Sequence, residues 1–127
     1  MNTQPQRSVI PIYTSRGDAD AFLVYPYLYN RLGEWIGWIT ADRQVYSVLG
    51  FYIGDLTAEP RIIRKRIMAT LKPRRTPPAY PPHLAVPATI PLAPLMGDLL
   101  FAVMDVLLDE PERLHTLDAG EQRQDLD

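Results

Sequence analysis

The stretch LYNRLGEWIGWIT, residues 28–40, is followed seventeen positions later by VYSVLGFYIGDLT, residues 45–57. Six of the thirteen positions are identical, including two glycines in each copy. A third version, IYTSRGDADAFL at residues 12–23, precedes them, and a shortened fourth without the glycine begins at IIRKR, residues 62–66. Recurrence at a fixed period is the signature of a repeat architecture. The chain therefore repeats one structural unit about three and a half times.

Each copy predicts a β-hairpin. The copies share a tyrosine, three further residues and a glycine, flanked by aromatic and β-branched residues that favour strands. Gly33 permits the tight turn, and Gly37 lets another backbone come close. Alternation along the second strand would place Trp35, Gly37 and Ile39 on one face. We therefore expect a small antiparallel β-hairpin repeat domain with pseudo-four-fold symmetry over residues 9–72.

The repeated pattern resembles that of the bacterial four-fold β-flower domain proteins. The resemblance rests on IYTSRGDADAFL, LYNRLGEWIGWI, VYSVLGFYIGDL and IIRKR, and it covers residues 9–67. It implies hairpins set around a pseudo-four-fold axis and no established activity, so it carries over no catalytic residue. The first copy departs from the pattern, with Ala21 where the others have glycine.

Composition narrows the class of protein. The 127 residues are 46% hydrophobic and contain no cysteine, which favours one folded domain and excludes disulfides and thiolate metal sites. The N-terminal MNTQPQRSVI has no apolar signal segment, so we expect a cytoplasmic protein. Charge is uneven: residues 1–75 hold eleven Lys/Arg and six Asp/Glu, whereas residues 76–127 hold two and nine. The acidic half can pair with the basic half, within one chain or between subunits.

Residues 73–94 contain eight prolines. Such a run excludes a helix or a central strand and favours extended polyproline II. We expect a linker, or an arm laid across a neighbouring surface. The alternative is a ligand for an aromatic-grooved recognition module.

The apolar run after Pro94 predicts a helix over residues 95–109, closed by Pro111, and we assign residues 95–118 to an apolar helical unit. Its apolar surface is wider than one amphipathic face, so we expect another subunit to cover it and the chain to be a homo-oligomer. The expected self-association residues are Leu99, Leu100, Phe101, Val103, Met104, Val106, Leu107 and Leu108. Residues 119–127 predict an acidic flexible tail.

The predicted helix is too short for a transmembrane span, which needs about 20 residues, and it carries aspartates. We therefore expect no transmembrane span. Peripheral membrane attachment is an alternative, although the polar stripe of the helix is acidic rather than basic.

The basic run RIIRKRIMATLKPRR, residues 61–75, predicts possible contacts with nucleic acid or another anionic surface, because clustered cations displace counterions from phosphates. Tyr25, Tyr27 and Trp35 are candidates to stack bases beside it. The alternative is a solvated surface, or one paired with the acidic tail. The candidate anion contacts are Arg61, Arg64, Lys65, Arg66, Lys72, Arg74 and Arg75.

No catalytic, cofactor or metal site is predicted. His83 and His115 have no second ligand at metal spacing, and Asp98, Asp105 and Asp109 indicate a solvated helix stripe rather than an acid–base pair. The sequence favours a non-enzymatic structural or interaction module that self-associates. Nucleic-acid binding is the alternative, and a hydrolase or transferase with an unrecognised site is a third.

Overall fold

The structure is a computed structural model that describes residues 8–68 and 70–118. Eight antiparallel strands pair in chain order and form one curled half-barrel sheet, with one short helix near the C-terminal end. The elements are β1 Ile10–Tyr13, β2 Ala19–Val24, β3 Tyr27–Tyr29, β4 Trp35–Ile39, β5 Gln44–Ser47, β6 Tyr52–Leu56, β7 Ile62–Lys65, β8 Val103–Asp105, α1 Val106–Asp109 and the 3-10 turn Pro111–Arg113. The expected tail 119–127 lies outside the described residues.

The predicted hairpins are present, and their turns share one set of hydrogen bonds. In the second hairpin the Gly33 N–H donates to the Asn30 carbonyl (3.1 Å), and the Asn30 N–H donates to the Glu34 carbonyl (2.9 Å). The same two bonds recur at residues 14–18 and 47–51. The three turn glycines have φ between 79° and 90°, a left-handed conformation that glycine adopts without strain. The repeated Tyr-x3-Gly spacing therefore encodes a repeated turn.

Each of these hairpins also contains a β-bulge next to its turn. In the second hairpin Leu28 pairs with Gly37 and Tyr29 pairs with Trp35, which leaves Ile36 as the extra residue. The corresponding shifts occur between β1 and β2 and between β5 and β6. Because an extra residue changes which side chains share a face, the predicted alternation along β4 is wrong.

The core consists of two clusters of buried apolar side chains. The larger cluster draws on every hairpin and on the C-terminal segment, and comprises Ile12, Ala21, Leu23, Leu28, Ile36, Ile39, Val45, Ile53, Leu56, Ile62, Val106, Leu107 and Leu114. The smaller cluster is aromatic and comprises Val24, Tyr29, Trp35, Trp38, Tyr46 and Val48. Trp38 and Tyr46 stack with ring centroids 4.9 Å apart. Hydrophobic burial from all the repeats therefore stabilises one shared unit.

The fourth hairpin is completed from a distant part of the chain. Strand β7 begins the shortened fourth copy, and β8 pairs with it antiparallel across residues 66–102. The Arg66 N–H extends the ladder by donating to the Ala102 carbonyl (2.8 Å). Strand β7, which no glycine turn follows, therefore pairs with a strand that lies beyond the proline-rich segment.

The predicted helix over residues 95–109 is wrong in extent, because only Val106–Asp109 is helical. Residues 103–105 satisfy the free edge of β7 instead, and Asp105 then caps α1 by accepting from the Leu108 N–H (3.2 Å). Met104, Val106 and Leu107 are buried within this chain. Pairing with the sheet edge therefore outweighed local helix propensity. Among the described residues, no helix is long and apolar enough to cross a membrane.

The proline-rich segment lies across the hairpin turns as an arm, which we define as residues 73–102. The Arg75 N–H donates to the Gly50 carbonyl and the Leu84 N–H donates to the Gly33 carbonyl, both at 2.9 Å. A Cβ atom on either glycine would collide with the carbonyl oxygen of Arg75 or Leu84. The glycines therefore make both the turn and the close approach of the arm possible.

The arm reaches the turns in reverse order, at intervals of nine residues. After residues 75 and 84, Ala93 lies beside Gly17, with its Cβ 3.7 Å from the position that a Gly17 Cβ would occupy. Prolines recur with the same spacing two residues earlier in each interval, at Pro73, Pro82 and Pro91. The arm thus has its own nine-residue repeat, and each repeat meets one hairpin turn.

Candidate functional site

The basic run 61–75 does not form one continuous surface. Arg61 is only 4% exposed. Its guanidinium donates to Ser15 Oγ (3.0 Å), Glu59 Oε2 (3.1 Å) and the Gly97 carbonyl (3.2 Å). Arg61 therefore ties the first hairpin and the arm to the sheet, and we leave it out of the candidate anion contacts.

Arg66 also holds the arm to the sheet, at the C-terminal end of the arm. Its Nε donates to the Phe101 carbonyl (2.7 Å), and its guanidinium carbon lies 5.7 Å from the centroid of the Phe101 ring. These contacts hold the chain where it enters β8. Arg66 therefore lies beside the end of the arm.

Three other cations of the run lie over aromatic rings. Lys72 Nζ is 5.1 Å from the Tyr52 centroid, and the Arg74 guanidinium is 4.7 Å from the Phe51 centroid. Arg75 lies 5.5 Å from the Tyr46 centroid, above the aromatic core cluster. Cation–π contacts of this kind contribute about 0.5–1 kcal/mol each at exposed sites. The arm therefore begins as a row of cations on an aromatic surface.

Two adjoining depressions beside β6 and β7 are lined by Lys72 and Arg74 and by the rings of Phe51 and Tyr52, and we call them the basic-aromatic groove. One has a volume of about 300 Å³ and the other about 470 Å³, and they share Tyr52, Met68, Leu71 and Lys72. The smaller depression is also lined by Phe51, Arg64, Arg74 and Arg113. The larger is also lined by Asp55, Lys65, Thr70 and Pro73. Within residues 8–68 and 70–118, five cations thus surround two aromatic rings, with one carboxylate in the lining.

The two carboxylates closest to this chemistry are already engaged. Tyr52 Oη donates to Asp55 Oδ2 (2.9 Å), and burial together with this bond raises the pKa of Tyr52. Glu110 Oε1 lies 3.1 Å from Arg113 Nε, and this pairing lowers the pKa of Glu110. At neutral pH the groove therefore presents a neutral phenol, and Glu110 offsets part of the Arg113 charge.

Arg64 places a buried donor in the groove. Its Nε is buried, and no acceptor for it lies among the described residues. A buried donor without a partner costs about 1–3 kcal/mol. Arg113 Nε of the groove and Arg61 Nε outside it are also buried without a hydrogen-bond acceptor among the described residues, but each of these arginines has a glutamate at 3.1 Å. Within the described chain, Arg64 therefore shares an unsatisfied Nε with Arg113 and lacks its carboxylate partner.

A second polar cluster joins the first hairpin to β8. The N–H and Oγ of Ser15 both donate to Asp105 Oδ2 at 2.6 Å, and Arg61 donates to the same Oγ. Asp105 is buried, and its other oxygen caps α1. A nucleophilic serine needs a base free to take its proton, whereas the oxygens of Asp105 accept three hydrogen bonds. The cluster is therefore structural: it holds the first hairpin to β8, and we call it the clasp.

The remaining polar candidates from the sequence lie apart. The expected aspartate stripe is not formed, because Asp98 lies in the exposed non-helical part of the arm while Asp105 is buried. His83 is exposed, and His115 Nδ1 lies 2.8 Å from the Thr116 carbonyl oxygen. Within residues 8–68 and 70–118, no three His, Asp or Glu side chains form a group that could hold a metal ion.

The last part of the arm exposes large apolar side chains to an unusual degree. Leu92 is 95% exposed, Phe101 is 92% exposed, Leu100 is 78% exposed, and Leu95 is fully exposed. We call residues 90–101 the exposed apolar segment. Of the eight expected self-association residues, only Leu100 and Phe101 are exposed, and Leu99, Val103 and Leu108 are half-buried.

Comparison of the chain with protein-family models, with curated proteins and with solved structures finds no match. Sequence reasoning identified most cations of the groove but not Phe51, Tyr52 or Arg113. Of its three candidate stacking residues, Trp35 is buried, and the Tyr27 hydroxyl donates to the Ala79 carbonyl (2.8 Å).

Proposed function

We propose that this chain is a non-enzymatic structural and interaction module that associates with copies of itself. The observation that carries the proposal is the exposed apolar segment, where four large apolar side chains are at least 78% exposed. The four side chains lie within ten residues of one another in the chain, and apolar side chains exposed together mark protein–protein contact sites. The self-association surface is thus the end of the arm, in place of the helix expected from the sequence.

The magnitudes favour a reversible association. Burying one large apolar side chain contributes about 1.5–3 kcal/mol, so the eight that a two-fold pair brings together, four from each copy, contribute about 12–24 kcal/mol at full burial. Bringing two molecules together costs about 4–15 kcal/mol. Because these ranges overlap, the expected assembly forms and dissociates with concentration.

A second copy of the chain is the partner that this surface fits. Arg66, Asp98 and Asp109 line one depression together with Leu100 and Phe101, so the rim carries both signs of charge. In a two-fold pair the same patch meets itself, and the cation of one copy then faces the carboxylates of the other. The apolar centre is self-complementary for the same reason.

We further propose that the four hairpins stand around a pseudo-four-fold axis, as the resemblance to β-flower domains implies. Supporting this, three backbone carbonyls at the links between hairpins each accept a hydrogen bond, two from the second strand of the hairpin that follows the link and one from a different hairpin. The Pro26 carbonyl accepts from the Ile39 N–H, the Arg43 carbonyl from Leu56, and the Pro60 carbonyl from Tyr13, at 2.8–3.0 Å. The last of these bonds connects the fourth hairpin to the first. A cytoplasmic location remains a prediction.

Analytical ultracentrifugation over a series of concentrations tests self-association. Wild-type chain should sediment as a dimer or larger species at micromolar concentration, and a Leu92→Ser/Leu95→Ser variant should shift towards monomer. Leu32→Ser is the matched control, because Leu32 is also strongly exposed but lies in the second hairpin turn. A monomeric wild-type chain, or an equal shift in the control, would refute the proposal.

A further inference from the structure

We propose that the basic-aromatic groove binds single-stranded nucleic acid, with a base stacked on Phe51 and the phosphate backbone held by Arg64, Lys65, Lys72 and Arg113. This function is additional to self-association and uses a different surface. The placement of aromatic rings among cations carries it.

The aromatic residues of the groove are accessible. Phe51, immediately before β6, is 47% exposed, and Tyr52, the first residue of β6, is half-buried. The guanidinium of Arg74 already covers one ring at stacking distance, 4.7 Å from the Phe51 centroid. Bases stack on aromatic rings and on guanidinium planes without regard to sequence. Phe51 and Arg74 therefore offer a stacking platform for an unpaired base.

The cations of the groove outnumber its carboxylates. Among the described residues, the smaller depression is lined by Arg64, Lys72, Arg74 and Arg113 and by no acidic side chain. The chain as a whole has a formal net charge of −2, so attraction for an anion is local to this surface. A backbone phosphate is an anion with several acceptor oxygens, which suits guanidinium and ammonium donors.

Arg64 provides an independent argument for a ligand. Its buried Nε has no acceptor within the described chain, and its side chain lines the smaller depression. Buried donors in native proteins are normally satisfied. A phosphate oxygen in the depression would supply the missing acceptor.

The shape of the groove favours a single strand over a duplex. The two depressions, of about 300 and 470 Å³, have the volume of small-ligand pockets. They place rings beside the cations, and a duplex would keep its bases away from those rings. The groove therefore fits unpaired bases together with their phosphates.

Fluorescence anisotropy with a labelled single-stranded oligonucleotide of about 12 nucleotides, across a salt series, tests the inference. Wild-type chain should bind at low salt and weaken as salt rises. Phe51→Ala should weaken binding about 5- to 150-fold, the range for loss of one stacking contact, whereas Phe51→Trp should retain it. Lys72→Ala should reduce the slope of log affinity against log salt by about 0.7.

Arg16→Ala is the matched control, because Arg16 is exposed in the first hairpin turn and its loss changes net charge as Lys72→Ala does. It should leave affinity and salt slope unchanged, and thermal unfolding should show that every variant is folded. The Leu92→Ser/Leu95→Ser variant should also bind as wild type does, which separates this inference from self-association.

Four results would overturn the inference: no binding at low salt, an equal effect of Arg16→Ala, equal affinity for a duplex or a mononucleotide, or binding only to vesicles of anionic phospholipid. The last would assign the cations to a membrane surface. Loss of stacking in Phe51→Ala with rescue in Phe51→Trp supports the strand.

Discussion

Adding one methyl group to Gly33 should separate the strain of a hairpin turn from the docking of the arm. Gly33 has φ +79°, and an added Cβ would collide with the carbonyl oxygen of Leu84. That oxygen belongs to the backbone of the arm, so no side-chain rotation relieves the contact. Gly33→Ala therefore strains the turn and also pushes the arm away.

The two effects have different magnitudes. A left-handed conformation costs a residue with a Cβ about 1–2 kcal/mol. Displacing the arm breaks the Leu84 N–H to Gly33 carbonyl bond of 2.9 Å, which contributes about 0.5–1.5 kcal/mol. Gly33→Ala should then lower the free energy of unfolding by about 1.5–3.5 kcal/mol in total. Since domains are stable by about 5–15 kcal/mol, the variant should remain folded.

Gly17→Ala is the matched control. Gly17 has φ +90°, but its added Cβ would meet only the Ala93 Cβ at 3.7 Å, an ordinary contact. It should therefore show the strain alone, about 1–2 kcal/mol. Urea denaturation measures both free energies, and hydrogen exchange should show the Leu84 amide losing protection only in Gly33→Ala. Equal destabilisation by the two substitutions, with the Leu84 amide still protected, would refute the account of arm docking.

Two further predictions concern carboxylates, the buried Asp105 and the half-buried Asp20. Asp105→Ala should lower the free energy of unfolding by about 2–5 kcal/mol, because the Ser15 and Leu108 donors lose their acceptor in a buried setting; urea denaturation should show a smaller loss for Ser15→Ala, and the reverse order would contradict the clasp. Burial raises the pKa of Asp20 despite Arg31 at 3.8 Å, so ionisation of Asp20 opposes folding as pH rises above its unfolded value of 3.8. The stability of Asp20→Asn relative to wild type should therefore increase between pH 3 and pH 7 in urea titrations, and a constant or falling difference would show that Arg31 dominates.

The repeats were predictable because their signal is local. Tyrosine, turn residues and glycine recur within each seventeen-residue unit, and the hydrogen bonds of the turn connect residues three to four apart. The bulge at Ile36 was not predictable in the same way, because it depends on how Leu28 and Gly37 pair across two strands. The sequence indicates that Gly37 allows another backbone to come close. It does not indicate that the side chains of β4 change face, because that change depends on the register between β3 and β4.

The fourth hairpin shows where local reasoning fails. Residues 103–109 are apolar enough to predict a helix, yet Val103–Asp105 becomes a strand because the edge of β7 is available to it. No sequence pattern within residues 103–109 indicates that these residues pair with β7, which lies far away in the chain. The groove has the same origin: Arg113 meets Arg64 and Phe51 only after β8 and α1 have folded back, whereas the cations near Pro73 were visible as a charged run.

The nine-residue spacing of the arm has a consequence for how this segment can change in length. Proline-rich surface segments between folded elements usually accept insertions and deletions freely. Here one extra residue between Arg75 and Leu84 would carry every later arm residue past its turn, and the misalignment would extend to Ala93 beside Gly17. A stretch with the composition of a linker thus has its length fixed by the geometry of the sheet beneath it, as the length of a strand is fixed by its neighbours.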